Sequence, residues 1–178
     1  MTLLDTAGRI AEQCLSAISG ITDADRRNLA ERISEAATIY VFGVGRSGLI
    51  AQLFAVRLVQ LGLKVYFIGD MTTPLISEKD LVILVSNSGD TMSVVKTAEI
   101  ARRIGTRVIS ITASSDNDLA HTSDDIIVIN ADHDGDTAPL GTIFEDSALL
   151  FLDSMVPVLM EMLGATEADM RSRHAIWV

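Results

Sequence analysis

The chain has 178 residues, 48% of them hydrophobic and 4% aromatic, with a mean hydropathy of +0.35. Its formal charge is −10 and its bases form no cluster, which excludes a phosphate-tracking nucleic-acid interface and argues against docking on anionic membranes. The longest run free of Asp, Glu, Lys and Arg is ten residues, well short of the ~20 apolar residues of a membrane-spanning helix.

The length fits one domain spanning residues 1–178. Asp5, Arg9 and Glu12 interrupt the N-terminal segment, so it does not read as a signal peptide. Cys14 is the sole cysteine, which leaves no intrachain disulfide and points to a reducing cytoplasm. The charge is uneven. Residues 1–107 hold 12 bases and 11 acids, whereas residues 108–170 hold 13 acids and no Lys or Arg. The apolar excess needs a sheet buried on both faces or a subunit interface.

Residues 2–19 predict a helix with Leu4, Ala7, Ala11, Cys14, Leu15 and Ile18 on its inward face. Cys14 then reads as a small buried apolar residue rather than a reactive thiol. A second helix follows, with Asp23 as N-cap and Leu29, Ala30 and Ile33 inward. TIYVF at 38–42 is a strand, and it runs into a glycine-rich turn. Residues 47–61 predict a helix with Ile50, Phe54, Leu58 and Leu61 inward. KVYFI at 64–68 and LVILV at 81–85 are strands, and a helix is expected at about 91–104. RVISIT at 107–112 and IIVIN at 126–130 complete the strands. The last long element, 143–163, carries Phe144, Ala148, Leu152, Met155, Leu159 and Leu163 in one stripe, with Pro157 expected to kink it. Nearly all-apolar strands alternating with helices imply a parallel α/β sheet covered on both faces. Ligands of such sheets sit at the carboxyl ends of the strands, so the loops after 42, 68, 85, 112 and 130 are the informative ones.

Gly43-Val44-Gly45-Arg46-Ser47-Gly48 matches G-x-G-x-x-G between a strand and a helix, and Asp70 falls 22 residues after Gly48. That is the dinucleotide-binding pattern, although 178 residues leave little room for a separate catalytic domain. The same glycines also suit a plain tight turn. Ser86-Asn87-Ser88-Gly89-Asp90-Thr91 follows the most apolar strand and precedes a helix. Three hydroxyls, a glycine and a helix N-terminus make a phosphate cradle that needs no lysine. The plainer reading is that Ser88 or Asp90 caps the helix.

Thr142 and Glu145 have capping-box spacing at the start of the last helix. Alternatively, Leu149 and Leu152 share the face of Glu145. A carboxylate at the edge of an apolar face is desolvated, which raises its pKa towards that of a general base. His121, His133 and His174 lack metal-ligand spacing, so no metal site is expected. His121 and His133 lie in polar acidic loops and read as surface; by pattern His174 reads as a surface tail residue.

VFGVGRSGLIA (41–51) together with VSNSGDT (85–91) resembles the sugar isomerase (SIS) domain. LGTIFEDSALLFLDSMV (140–156) and RHA (173–175) narrow the resemblance to the 6-phospho-3-hexuloisomerase family. It runs from near Leu4 to His174. The tail departs from the family after RHA, where Ile176, Trp177 and Val178 stand. The resemblance implies a three-layer α/β/α sandwich around a five-stranded parallel sheet, a homotetramer, and no metal or organic cofactor. It implies conversion of D-arabino-hex-3-ulose 6-phosphate to fructose 6-phosphate, after formaldehyde fixation by a hexulose-phosphate synthase in the ribulose monophosphate pathway. On that basis Ser86, Ser88, Gly89 and Thr91 are expected to bind the phosphate, and Asn87 and Asp90 to shape the loop. Gly45, Arg46 and Ser47 are expected to face the sugar, with Arg46 placed to stabilise an oxyanion. Glu145 is the expected base at both carbons of a cis-enediol. His174, from a neighbouring subunit, is expected to move protons at the oxygens. Two further readings share the resemblance. One is an isomerase of another phosphosugar such as arabinose 5-phosphate, whose usual histidine-proline-glycine tail motif is missing here. The other is a non-catalytic phosphosugar sensor, whose DNA-binding domain residues 1–36 are too short and too weakly basic to form.

Overall fold

A computed structural model of the chain describes residues 2–131 and 135–174. His133 and the Ile176-Trp177-Val178 tail lie outside the described residues. Two helices come first, α1 (Leu3–Ile18) and α2 (Asp23–Glu35). Strand β1 (Ile39–Gly43) leads into α3 (Gly45–Gln60), and β2 (Val65–Phe67) follows. Then come β3 (Leu81–Ser86), α4 (Met92–Ile104), β4 (Arg107–Thr112), a short α5 (Asp118–Thr122) and β5 (Asp125–Val128). The long α6 (Thr142–Leu163) and short α7 (Glu167–Ser172) close the described chain.

The five strands are all parallel, in the order β2-β1-β3-β4-β5. Alternate residues of one strand point to opposite faces. Ile39, Val41, Ile83, Val85, Ile109 and Ile111 therefore pack under α1, α2, α3 and α6. Tyr40, Val82, Leu84 and Val108 pack on the other side against Val94, Val95 and Ala98 of α4 and Leu119 of α5. All six residues of β3 are buried, which is why its sequence shows no polar alternation. The expected three-layer sandwich is the observed one.

Several local expectations are corrected. The N-cap of α2 is Thr22, not Asp23, because Thr22 and Asp25 form a reciprocal capping box. Leu4, Ala7, Ala11 and Leu15 of α1 are exposed, and the buried line is Cys14 and Ala17 with Ile10 and Ile18 at its edge. The helix is apolar on more than one side, so periodicity alone did not select the face. The last strand lies at 125–128 rather than 126–130. Helix α6 spans Thr142–Leu163 with Pro157 inside it. Its missing N–H leaves the Asp153 carbonyl without a ladder donor; one residue on, the Arg26 guanidinium of α2 donates to the Ser154 carbonyl at 2.9 Å.

Cys14 is buried between α1 and the start of α6, with its Sγ 3.9 Å from the Ile143 carbonyl. Burial pushes its thiol pKa up, and the Asp146 carboxylate adds to the rise. A thiol that is both buried and protonated is a poor nucleophile. The native protein is therefore expected to react with a disulfide reagent such as DTNB only after denaturant is added. Rapid stoichiometric labelling of the folded chain would contradict this burial.

Candidate active site

The order β2-β1-β3 makes β1 and β3 neighbours whose following helices leave to opposite faces, α3 to one and α4 to the other. A crevice opens at their carboxyl ends, where ligands of such sheets bind. Three loops meet there.

The first is Gly43–Gly48. A Cβ on Gly43 would lie 2.7 Å from the Val85 carbonyl, and one on Gly48 would lie 2.5 Å from the Gly43 carbonyl. These two glycines let α3 start directly against the strand ends. Gly45 has φ +61 and open space around it, so it is needed for its backbone rather than for room. Ser47 is buried and Arg46 projects outward.

The second loop is Ser86–Thr91. The Ser86 hydroxyl accepts from the Gly89 N–H at 3.2 Å and lies 3.4 Å from the Thr91 hydroxyl. The Ser88 hydroxyl accepts from the Asp90 N–H, and the Asp90 carboxylate accepts from the Asp118 N–H. Neither Ser88 nor Asp90 caps α4. The N-cap is Thr91, and its side chain makes no cap hydrogen bond.

The third loop, Pro139–Gly141, delivers Glu145. Helix α6 begins one residue earlier than a capping box would require. Gly141 is the N-cap, and Thr142 donates to the Pro139 carbonyl at 2.8 Å instead of capping. The capping-box reading of Glu145 is thus overturned. Glu145, 7% exposed, makes no capping bond, and its carboxylate meets Arg46, with Nε–Oε2 at 2.5 Å. Arg46 also reaches Asp146, at 3.6 Å, a partner the sequence reading missed. Leu140, just before Gly141, has φ +60, the only positive φ of a non-glycine among the described residues. A Cβ on Gly141 would lie 3.0 Å from the Asn87 amide nitrogen and 3.2 Å from a Glu145 oxygen. Asn87 of the second loop and Glu145 of the third are therefore near neighbours.

The helix ends at this crevice differ from the others. Helices α1, α2, α5 and α7 carry side-chain caps from Thr2, Thr22, Asn117 and Thr166. Helices α3, α4 and α6, whose N-termini converge on the crevice, have none. Uncapped N-termini leave backbone N–H groups and positive dipole ends for an anion.

Not every predicted residue is in the crevice. His174 is exposed, and its neighbour Arg173 donates to the Gln60 carbonyl and packs on Gly62. That is the far end of α3 from Arg46, about 21 Å away at 1.5 Å per residue. His121 is exposed and paired with Asp116 at 3.2 Å. Among the described residues no three His, Cys, Asp or Glu side chains group to hold a metal ion, and no helix is long and apolar enough to cross a membrane.

The SIS-domain family model matches residues 32–151. The chain is 40% identical to the 3-hexulose-6-phosphate isomerase of Methanocaldococcus jannaschii, over 83% of this chain and 81% of that one. The chain belongs to the SIS-domain family that includes the 3-hexulose-6-phosphate isomerases. The isomerase of that name from Bacillus subtilis is 30% identical over 98% of both chains. A Methanococcus jannaschii protein whose crystal structure infers a function of 3-hexulose-6-phosphate isomerase superposes with a TM-score of 0.89, at 35% identity over 98% of this chain and all of that one. The G-x-G-x-x-G turn is thus that of an SIS domain, not a dinucleotide fingerprint.

The steric role of the glycines is directly testable. Gly48→Ala is expected to cost at least ~2 kcal/mol, since its Cβ meets rigid backbone. Gly8→Ala in α1 meets nothing and should be neutral or stabilising by about 0.5–1 kcal/mol. Chemical denaturation of both variants at one protein concentration checks the contrast.

Proposed function

We propose that the chain converts D-arabino-hex-3-ulose 6-phosphate to fructose 6-phosphate through a cis-enediol, as the step after formaldehyde fixation in the ribulose monophosphate pathway. The observation that carries this reading is the crevice itself. Three helix N-termini without side-chain caps start at the carboxyl ends of the strands, the hydroxyl-bearing loop Ser86–Thr91 opens one of them, and its Asn87 neighbours the buried Glu145. Those groups suit a phosphate at one end of the ligand and proton abstraction at the other.

The carbonyl has to move from C3 to C2. Glu145 takes the C2 proton, C2 and C3 share the double bond of the enediolate, and the same carboxylate returns the proton to C3. One base serves both carbons because the cis geometry keeps them on one face. O3 gains a proton and O2 loses one. Arg46 offers a guanidinium to the charge that develops on O3. In the free protein that guanidinium sits on Glu145 itself. Substrate has to loosen this pair, and Asp146 at 3.6 Å offers the cation a second anchor. Gly45 and Ser47 line the sugar side, and Gly89, Asn87 and Asp90 hold the shape of the phosphate loop.

His174 handles the oxygens, but from a neighbouring copy, since in its own chain the adjacent Arg173 docks at the far end of α3. A homotetramer supplies that copy. Leu49, Leu53 and Val56 form an apolar stripe on the outer face of α3 at i, i+4 and i+7, each at least half exposed. The protein acts in the cytoplasm, fed by a hexulose-phosphate synthase.

The decisive assay supplies ribulose 5-phosphate, formaldehyde and a hexulose-phosphate synthase, and measures fructose 6-phosphate. Formation only in the presence of this protein supports the reading. Faster turnover of arabinose 5-phosphate would move the assignment to another isomerase, and binding without turnover of any phosphosugar would make it a sensor.

Glu145→Gln should lower kcat by roughly 10²–10⁴-fold while phosphosugar affinity is kept. Normal turnover would remove Glu145 as the base.

A mixing experiment tests the shared site. Glu145→Gln and His174→Asn homo-oligomers should each be impaired, and mixed oligomers formed by co-expression should regain a fraction of wild-type activity. No recovery in verified mixed oligomers would mean that both residues serve one chain.

A further inference from the structure

We propose that Asn117, in the loop after β4, is a positioning residue that sets the orientation of the phosphate-binding loop; this rests on the phosphate reading of residues 86–91. Asn117 is buried, and its three polar contacts fix its amide without ambiguity. Its Oδ1 accepts from the Ala120 N–H at 2.8 Å, and its Nδ2 donates to the Ser114 carbonyl at 2.8 Å and to the Thr112 hydroxyl at 3.0 Å. A backbone N–H can only donate and a backbone carbonyl can only accept, so the flipped amide is excluded.

The consequence reaches the loop through Thr112. Because Asn117 donates to Thr112 Oγ1, the hydroxyl proton is left to point at the Asn87 carbonyl, 3.3 Å away. The Ala113 N–H holds the same carbonyl at 3.1 Å, and the Leu119 N–H holds the Gly89 carbonyl at 2.9 Å. In a trans peptide the C=O and the next N–H point in opposite directions. Pinning the Asn87 carbonyl towards β4 therefore turns the Ser88 N–H away from β4. The side chain of Asn117 also lies directly against Gly89, where any Cβ would overlap its amide. Gly89 itself has φ +72, so the loop is shaped around this one side chain. Asn117 thus works through carbonyls at the back of the loop and does not itself touch the crevice ligand.

The test separates positioning from mere structure. Asn117→Ser keeps a hydroxyl able to cap α5 but cannot span to Thr112 and Ser114. It is expected to raise KM for fructose 6-phosphate and Ki for inorganic phosphate by about tenfold, as for one misaligned charge-assisted hydrogen bond, while kcat changes less than threefold. Thr112→Val removes the relay hydroxyl from a second direction and should shift both constants the same way. The double variant should be less impaired than the product of the singles, because both act on one chain of bonds. Thermal melts of all three, run beside the kinetics, account for any loss of folded protein. Folded variants with wild-type KM and Ki overturn the role of Asn117. A wild-type protein that neither turns over nor binds fructose 6-phosphate by calorimetry overturns the phosphate reading as well, which is a separate outcome.

Discussion

The site depends on one steric constraint, the contact between the start of α3 and the ends of β1 and β3. Gly43 and Gly48 leave no room for a Cβ, so the helix begins immediately against the strands rather than after a longer loop. That fixes Arg46 in the first turn of α3, within reach of Glu145 at the first turn of α6. With α4 leaving to the opposite face of the sheet, the crevice between the two helices follows from topology alone.

The placement of charge is then understandable. A chain of net charge −10 looks poorly suited to a dianionic ligand. Yet both glycine loops belong to residues 1–107, where acids and bases nearly balance, and the phosphate would meet N–H groups and hydroxyls rather than cations. Arg46 is the cation that reaches Glu145, and in the free state it is occupied by acids of the strongly negative half. A buried carboxylate without such a partner would carry a large desolvation cost. The ion pair compensates that cost, and any ligand that uses the Glu145 carboxylate would first have to open it.

Most of the framework was legible because its signals are periodic. The apolar strands and the stripes of α3 and α6 repeat over enough residues to fix their type, and the strand–helix alternation fixes the parallel sheet. The first and second loops were legible as glycine and hydroxyl patterns. Single-residue features were not. Thr-x-x-acid occurs at the starts of α1, α2, α6 and α7, and it forms a capping box in three of them. The exception is Thr142 and Glu145, where an arginine 99 residues away takes the carboxylate and the helix starts one residue earlier. No local pattern can reveal that. Asn117 sat in a polar stretch, SSDNDLA, that read as loop; an Asn preceding Asp-Leu-Ala is an N-cap signal, but its contact with Gly89 is purely tertiary.

The misread face of α1 and the two apolar faces of α3 have a common cause. Periodicity reports where apolar residues lie, not what covers them. In α3, Ile50, Phe54 and Leu58 meet the sheet while Leu49, Leu53 and Val56 face outward. In α1, Leu3, Leu4 and Leu15 are likewise uncovered within the chain. Helices apolar all round belong in interiors, so these outer faces are the ones a covering partner would bury. Arg173, next to His174 in the chain, docks at the end of α3 remote from Arg46, about 21 Å along the helix axis. If the outer stripe of α3 is covered by a neighbour, the end of α3 that carries Arg173 and His174 is brought to a foreign surface. Burying that stripe would also account for the high hydropathy of so short a chain, which the two faces of the sheet alone do not absorb.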